Sequence, residues 1–91
     1  MIYEWDEAKR QSNINKHGLD FEDAAEVFED PYGIEVIDDS DYGEERIIFI
    51  GVLRGIIVTA VTFVDREDVR RIISFRKATK DEKGFYENGY Y

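Results

Sequence analysis

The chain has 91 residues, no cysteine, one histidine and a formal charge of −9, a length that supports one domain over residues 1–91 with a modest core. Without cysteine there is no disulfide, thiolate nucleophile or cysteine-bound zinc, and one histidine cannot make a histidine-rich metal site, so neither metal nor cofactor is expected. No stretch approaches the roughly 18 apolar residues needed to cross a bilayer, and MIYEWDEAKR lacks the basic-then-apolar plan of a signal peptide, so the expected location is cytoplasmic, with no membrane partner.

In chain order, Asp6 caps a first helix that starts at Glu7 and ends at Lys16-His17-Gly18, a basic last turn followed by the residue that most readily turns left-handed. The apolar face of this helix is thin, so its ends define it. Asp20 then caps a second helix whose Phe21, Ala24, Ala25 and Phe28 fall at i, i+3, i+4 and i+7, with Pro31 closing it. Gly33 to Ile37 and Arg46 to Gly51 read as strands joined by the turn-rich DDSDYGEE. Gly51-Val-Leu-Arg-Gly55 interrupts the next apolar run. Ile56 to Val64 is β-branched on both alternating faces, the pattern of a central strand covered on both sides.

The charged DREDV turn leads to a last strand, Val69 to Lys77. Strict alternation puts Arg70, Ile72, Ser74 and Arg76 on one face and Arg71, Ile73, Phe75 and Lys77 on the other. Thr79 and Glu82 match a capping box and start a short C-terminal helix, and Asn88 to Tyr91 are expected to fray. The predicted fold is α+β: two N-terminal helices, an antiparallel sheet of about four strands and a short C-terminal helix. Two helices cover only one face of such a sheet, so the second face calls for the C-terminal helix or another chain, and a partner or dimer is expected.

The charge is unevenly spread. Residues 1–45 carry 15 acidic and 3 basic side chains, net −12, and residues 46–91 carry 6 acidic and 9 basic, net +3. Overall acidity argues against a polyanionic partner, but the second half, if gathered on one face, holds one locally while the acidic half meets water or a cationic partner.

Three stretches taken together, WDEAKRQSNINKHGLDFEDAAEVFEDP, GEERIIFIG and RRIISFRKATKDE with Tyr86, resemble the BrnT toxins, ribonucleases of type II toxin-antitoxin modules. The resemblance runs over nearly the whole chain, and KHG-x-x-F followed by RIIS-x-RKA is specific in combination. It implies a RelE-like fold, metal-independent cleavage of RNA, and a BrnA-type antitoxin whose ribbon-helix-helix domain alone contacts operator DNA. The assembly it implies is a homodimer or a toxin-antitoxin heterotetramer.

Cleavage of RNA without a metal lets the 2′-hydroxyl attack its own phosphate, so charge builds on the phosphoryl oxygens and the leaving oxygen. Guanidinium groups stay charged and grip two oxygens at once, which makes Arg46, Arg71 and Arg76 the catalytic candidates, the same three the resemblance selects. The competing account is that they pair with nearby carboxylates and need no RNA. Arg70 is a weaker candidate.

Lys9, Lys16, Lys77 and Lys80 are candidates to hold RNA phosphates as point charges. Glu44 is expected to orient Arg46 by ion pairing, and Tyr86 to pack. His17 has the chemistry of a general acid or base and joins the catalytic candidates, although a histidine in the last turn of a helix is also favoured by the helix dipole alone. A non-catalytic or attenuated protein-binding module of the same fold is the alternative function.

Overall fold

In a computed structural model, which describes residues 1–38 and 43–89, the chain forms a five-stranded mixed sheet and three α-helices. The strands are β1 (Ile2–Glu4), β2 (Ile34–Asp38), β3 (Arg46–Leu53), β4 (Ile57–Arg66) and β5 (Val69–Lys77), in spatial order β1-β5-β4-β3-β2. The helices are α1 (Glu7–His17), α2 (Ala24–Phe28) and α3 (Lys80–Asn88). The antiparallel β2 to β5 run is the expected meander. β1 is an addition to it: it pairs parallel to β5, with Ile2, Tyr3 and Glu4 opposite Val69, Arg70 and Arg71. Three residues are too few to show a period, which is why the strand count falls short in the sequence.

The helix ends follow their capping residues. Asp6 accepts from the amides of Ala8 and Lys9, and Gly18 takes φ 72°, with its amide returning to the Ile14 carbonyl. The second helix is shorter than its periodicity predicts. Asp20 caps a 3-10 turn, Phe21–Asp23, and only Ala24–Phe28 is α-helical. The tighter turn shifts the stripe, so Phe21, Ala24 and Val27 are buried where Ala25 was expected to be.

β3 continues through the expected interruption to Leu53, and the hairpin turns at Arg54 and Gly55, both at positive φ. Gly51 lies within the strand. A Cβ there would stand 2.7 Å from the Phe49 ring and 3.0 Å from Val27, so glycine lets α2 close onto β3. β4 runs on to Arg66, leaving Glu67 and Asp68 as the turn of the DREDV segment. Part of the DDSDYGEE loop (residues 39–42) and the end of the expected fraying segment (residues 90 and 91) lie outside the described residues.

The core lies between the first sheet face and the segment from α1 to α2. Phe21, Val27, Val61, Phe63, Ile72 and Phe75 are all at or below 1% exposure, each large side chain contributing about 2 to 3 kcal/mol of burial. Phe28 meets Phe49 and Phe63 edge-on and stacks on Tyr3. Arg70 closes this cluster, its guanidinium 4.0 Å from the Phe63 ring and 4.6 Å from the Phe28 ring while Asp65 holds its far side. Arg70 is therefore a roof over the core, consistent with its weak candidacy for the site.

On the second face, where Ile50 and Ala60 are both 1% exposed, α3 packs against β3 and is fixed at both ends. Glu82 joins it to Arg76 near its start, and Tyr86 donates to Asp30 at 2.6 Å near its end. The C-terminal helix thus supplies part of the cover that the apolar central strand demanded. The other end of this face, with Ile48, Thr62 and Ser74, remains half-buried.

Candidate active site

The site is organised by one irregularity in β5. Thr62 pairs with Ser74, but the next residue, Phe63, pairs with Ile72, so Ile73 is an extra residue in the ladder. This bulge overturns the strict alternation expected from the sequence. Before it, Arg70 and Ile72 face the core; after it, Phe75 does. Arg71, Ser74 and Arg76 consequently share the second face, where alternation separated Arg71 from Arg76.

The register adds Arg46 to the same face. Arg46 stands opposite Asp38, and Ile47 opposite Phe63, which places Arg46 beside Val64 across the ladder. Val64 pairs in turn with Arg71, and Arg71 with Glu4. One row across the sheet thus reads Asp38, Arg46, Val64, Arg71, Glu4. The two arginines are separated by two strand spacings, about 10 Å at the backbone, with a 3% exposed valine between them. Arg76 lies two rows along, beyond Ser74, opposite Ala60.

Arg71 and Arg76 each hold a carboxylate. Arg71 donates to Glu4 at 3.0 Å, and Arg76 grips both oxygens of Glu82 at 2.7 and 3.0 Å. Glu82 also completes the capping box of α3, accepting from the Thr79 amide at 2.8 Å while Thr79 accepts from its amide. One carboxylate therefore starts the helix and aims Arg76. The hydrogen bonds from Arg76 hold the Glu82 carboxyl below 4.5, so this contribution to α3 docking is complete above that pH and is lost as the pH falls through the depressed value. Glu44 does not orient Arg46 as expected; it accepts a forked pair of bonds from Arg66 at 2.8 and 3.0 Å.

Tyr86 packs, as expected, and sets the opposite limit. Burial first, and then its bond to Asp30, push the phenol from 10.0 up to about 12. For a raised pKa the stabilisation is complete below 10.0 and is lost as the pH rises through about 12. Tyr86→Phe is expected to flatten the alkaline fall in thermal stability over that interval, read by melting temperature against pH; an unchanged profile would mean the Asp30 contact does not hold α3.

The remaining candidates divide into two groups. Lys9, Lys16 and His17 line a concavity of about 210 Å³ together with Ser12, Asn13, Ile73 and Ser74, between α1 and the bulged edge of β5. Lys77 lies at the far end of β5, where with Lys83 it lines a second hollow, and Lys80 is exposed on the first turn of α3. The structure thus brings three arginines onto one face and two lysines with His17 beside it, and leaves Lys77 and Lys80 apart. Sequence reasoning missed Ser12, Asn13 and Ser74. For Ser12 and Asn13 a signal was present: Lys9, Ser12, Asn13, Lys16 and His17 fall at i, i+3, i+4, i+7 and i+8, one polar stripe of the helix; Ser74 had none.

Asn13 is 7% exposed and replaces a missing strand neighbour. Its amide donates to the carbonyls of Phe75 and Leu19 at 2.7 and 2.9 Å, and its oxygen accepts from the Phe75 amide at 3.1 Å. It pins α1 to the edge of β5 just past the bulge. Among the described residues no group of three histidine, cysteine or acidic side chains is placed to hold a metal, and no helix is long and apolar enough to cross a membrane.

Fold and site together define a small α+β protein that presents cations on a half-open sheet face. A family model described as the ribonuclease toxin BrnT of type II toxin-antitoxin systems matches residues 5–82. The chain belongs to this family. It is also similar to the Brucella abortus ribonuclease toxin BrnT, known from a 1.1 Å crystal structure: the two are 35% identical with a TM-score of 0.67, and the match covers 88% of this chain and 100% of that one. No curated protein sequence matches.

Proposed function

We propose that this chain is an active endoribonuclease toxin that cleaves RNA without a metal, using Arg46, Arg71 and Arg76. The observation that carries this reading is the bulge at Ile73, which sets Arg71 and Arg76 on the half-open face that the β3 register gives to Arg46. In the cleavage step the RNA's own 2′-hydroxyl attacks the neighbouring phosphorus and the 5′-oxygen leaves. The arginines lower the barrier by meeting the charge that builds on the phosphoryl and leaving oxygens. Glu4 and Glu82 hold Arg71 and Arg76 in place beforehand, so little reorganisation is needed.

The family implies an antitoxin partner. The proposed one is a BrnA-type protein that contacts operator DNA through its own ribbon-helix-helix domain, and the net charge of −12 on residues 1–45 suits a basic partner of that kind. The alternative, a non-catalytic binding module, draws support from the carboxylates already paired with Arg71 and Arg76. Expression of the chain alone is expected to slow growth and fragment RNA, co-expression with the antitoxin to restore both, and the purified chain to cut RNA in the presence of EDTA. A folded chain that leaves RNA and growth untouched would sink the ribonuclease reading and favour the module.

A further inference from the structure

We infer that the concavity between α1 and the bulged edge of β5 is a separate phosphate-binding subsite for single-stranded RNA, held by Lys9, Lys16 and His17 with the hydroxyls of Ser12 and Ser74. It deepens the ribonuclease reading, on which it rests, by fixing where the substrate runs.

Charge distribution provides the first argument. Carboxylates outnumber cations in this chain, and Arg10, Arg54, Arg66, Arg70, Arg71 and Arg76 each hold one. Among the described residues no carboxylate lies within ion-pair distance of Lys9, Lys16 or His17, although all three lie on the same helix as Arg10, which collects Glu7, Asp20 and Glu22. These three acids are engaged by Arg10 and not by the cations of the hollow. An uncompensated positive hollow in a protein of net charge −9 is a local field for an anion.

The second argument is the departure of α1 from the usual pattern of a packed helix. The side chains it gives to the hollow are Lys9, Ser12, Asn13, Lys16 and His17, its half-buried side holds Arg10, Ile14 and His17, and Asn13 is its only buried residue. A helix held by its caps, by Asn13 and by the Arg10–Asp20 pair forgoes the burial an apolar stripe would bring. Departures of this kind concentrate where a surface is kept for binding.

Position supplies the third argument. Ser74 lines the hollow and also sits between Arg71 and Arg76 on the sheet face. The subsite therefore adjoins the arginine face across the edge of β5, and a single strand lying on the arginines passes over that edge with its next phosphate above the hollow. Here His17 is a binding group: among the described residues no hydrogen-bond partner orients its ring, as a general base requires.

The test uses a short oligouridylate with 2′-O-methyl riboses, which lacks the attacking hydroxyl, so binding is measured without cleavage. Fluorescence anisotropy across a salt series is expected to show Lys9→Ala/Lys16→Ala binding roughly tenfold or more weakly. The slope of log affinity against log salt is expected to drop by roughly 0.7 for each phosphate no longer neutralised. Lys83→Ala on α3 is expected to match the parent chain. Amide NMR shifts on titration are expected at Ser12, Lys16, His17 and Ser74. A double variant that binds as the parent does, or shifts confined to other residues, would overturn the subsite. Because the probe cannot be cut, an inactive but normally binding chain would overturn the ribonuclease reading and leave the subsite standing. A chain that cuts RNA yet is indifferent to both lysines would do the reverse.

Discussion

Arg71→Ala is expected to lower RNA cleavage by roughly 100-fold or more while leaving the fold close to unchanged, since one preorganised donor to a developing oxyanion is worth that much. Among the three arginines this is the cleanest substitution. Arg71 and Glu4 are 33% and 45% exposed, and a pair so open to water contributes at most about 1 kcal/mol to stability. Arg76 is a poor choice for the same experiment. Its partner Glu82 is only 15% exposed and caps α3, so truncation would strand a carboxylate and loosen the helix, confounding chemistry with folding. Arg71→Lys keeps the charge but loses the planar fork, and is expected to recover part of the rate. Full activity in a folded Arg71→Ala chain would remove this residue from the mechanism.

Asn13→Ala is expected to destabilise the protein by about 3 to 5 kcal/mol, because the Phe75 amide and carbonyl and the Leu19 carbonyl lose their partner in a buried place, at about 1 to 3 kcal/mol for each group left unsatisfied. Urea denaturation reads the loss as a lower midpoint at constant slope. Asn13→Asp is expected to be comparably harmful although it preserves shape and the acceptor for Phe75. It replaces the donor with a carboxylate oxygen facing two carbonyls. A loss below about 1 kcal/mol in Asn13→Ala would mean that water entering from the adjoining hollow satisfies the same groups. Since Asn13 binds β5 one residue past Ser74, reduced RNA binding is expected to accompany the loss.

Local signals read well in this chain. Strand β5 keeps its predicted limits, Val69–Lys77, because its apolar and β-branched residues are bounded by a charged turn and by Thr79. The ends of α1 and the capping box of α3 follow from the chemistry of single residues: Asp6, Gly18, Thr79 and Glu82 act on amides and carbonyls within a turn of themselves. The errors share a different cause. β1 has no period to read, and it exists only because β5 offers a free edge far along the chain. The bulge at Ile73 depends on how β5 seats against β4 and α1, and no rule of alternation within nine residues contains it. The exchange of partners by Glu44, from Arg46 to Arg66, is likewise decided by contact across 22 positions.

The sequence by itself determined the α+β class, the helix ends, the uneven charge and the residue types able to meet a phosphate, because each depends on composition or on interactions a few residues long. Tertiary structure decided which of those residues stand together. Long-range pairing put Arg46 on the second face by register and Arg71 and Arg76 there through a single extra residue, laid Arg70 as a lid on Phe63, and made Lys16 and His17, at a helix ending, part of the wall of a cationic hollow. The physical reason is that a side chain's face in a strand is set by register, and register is a property of two strands.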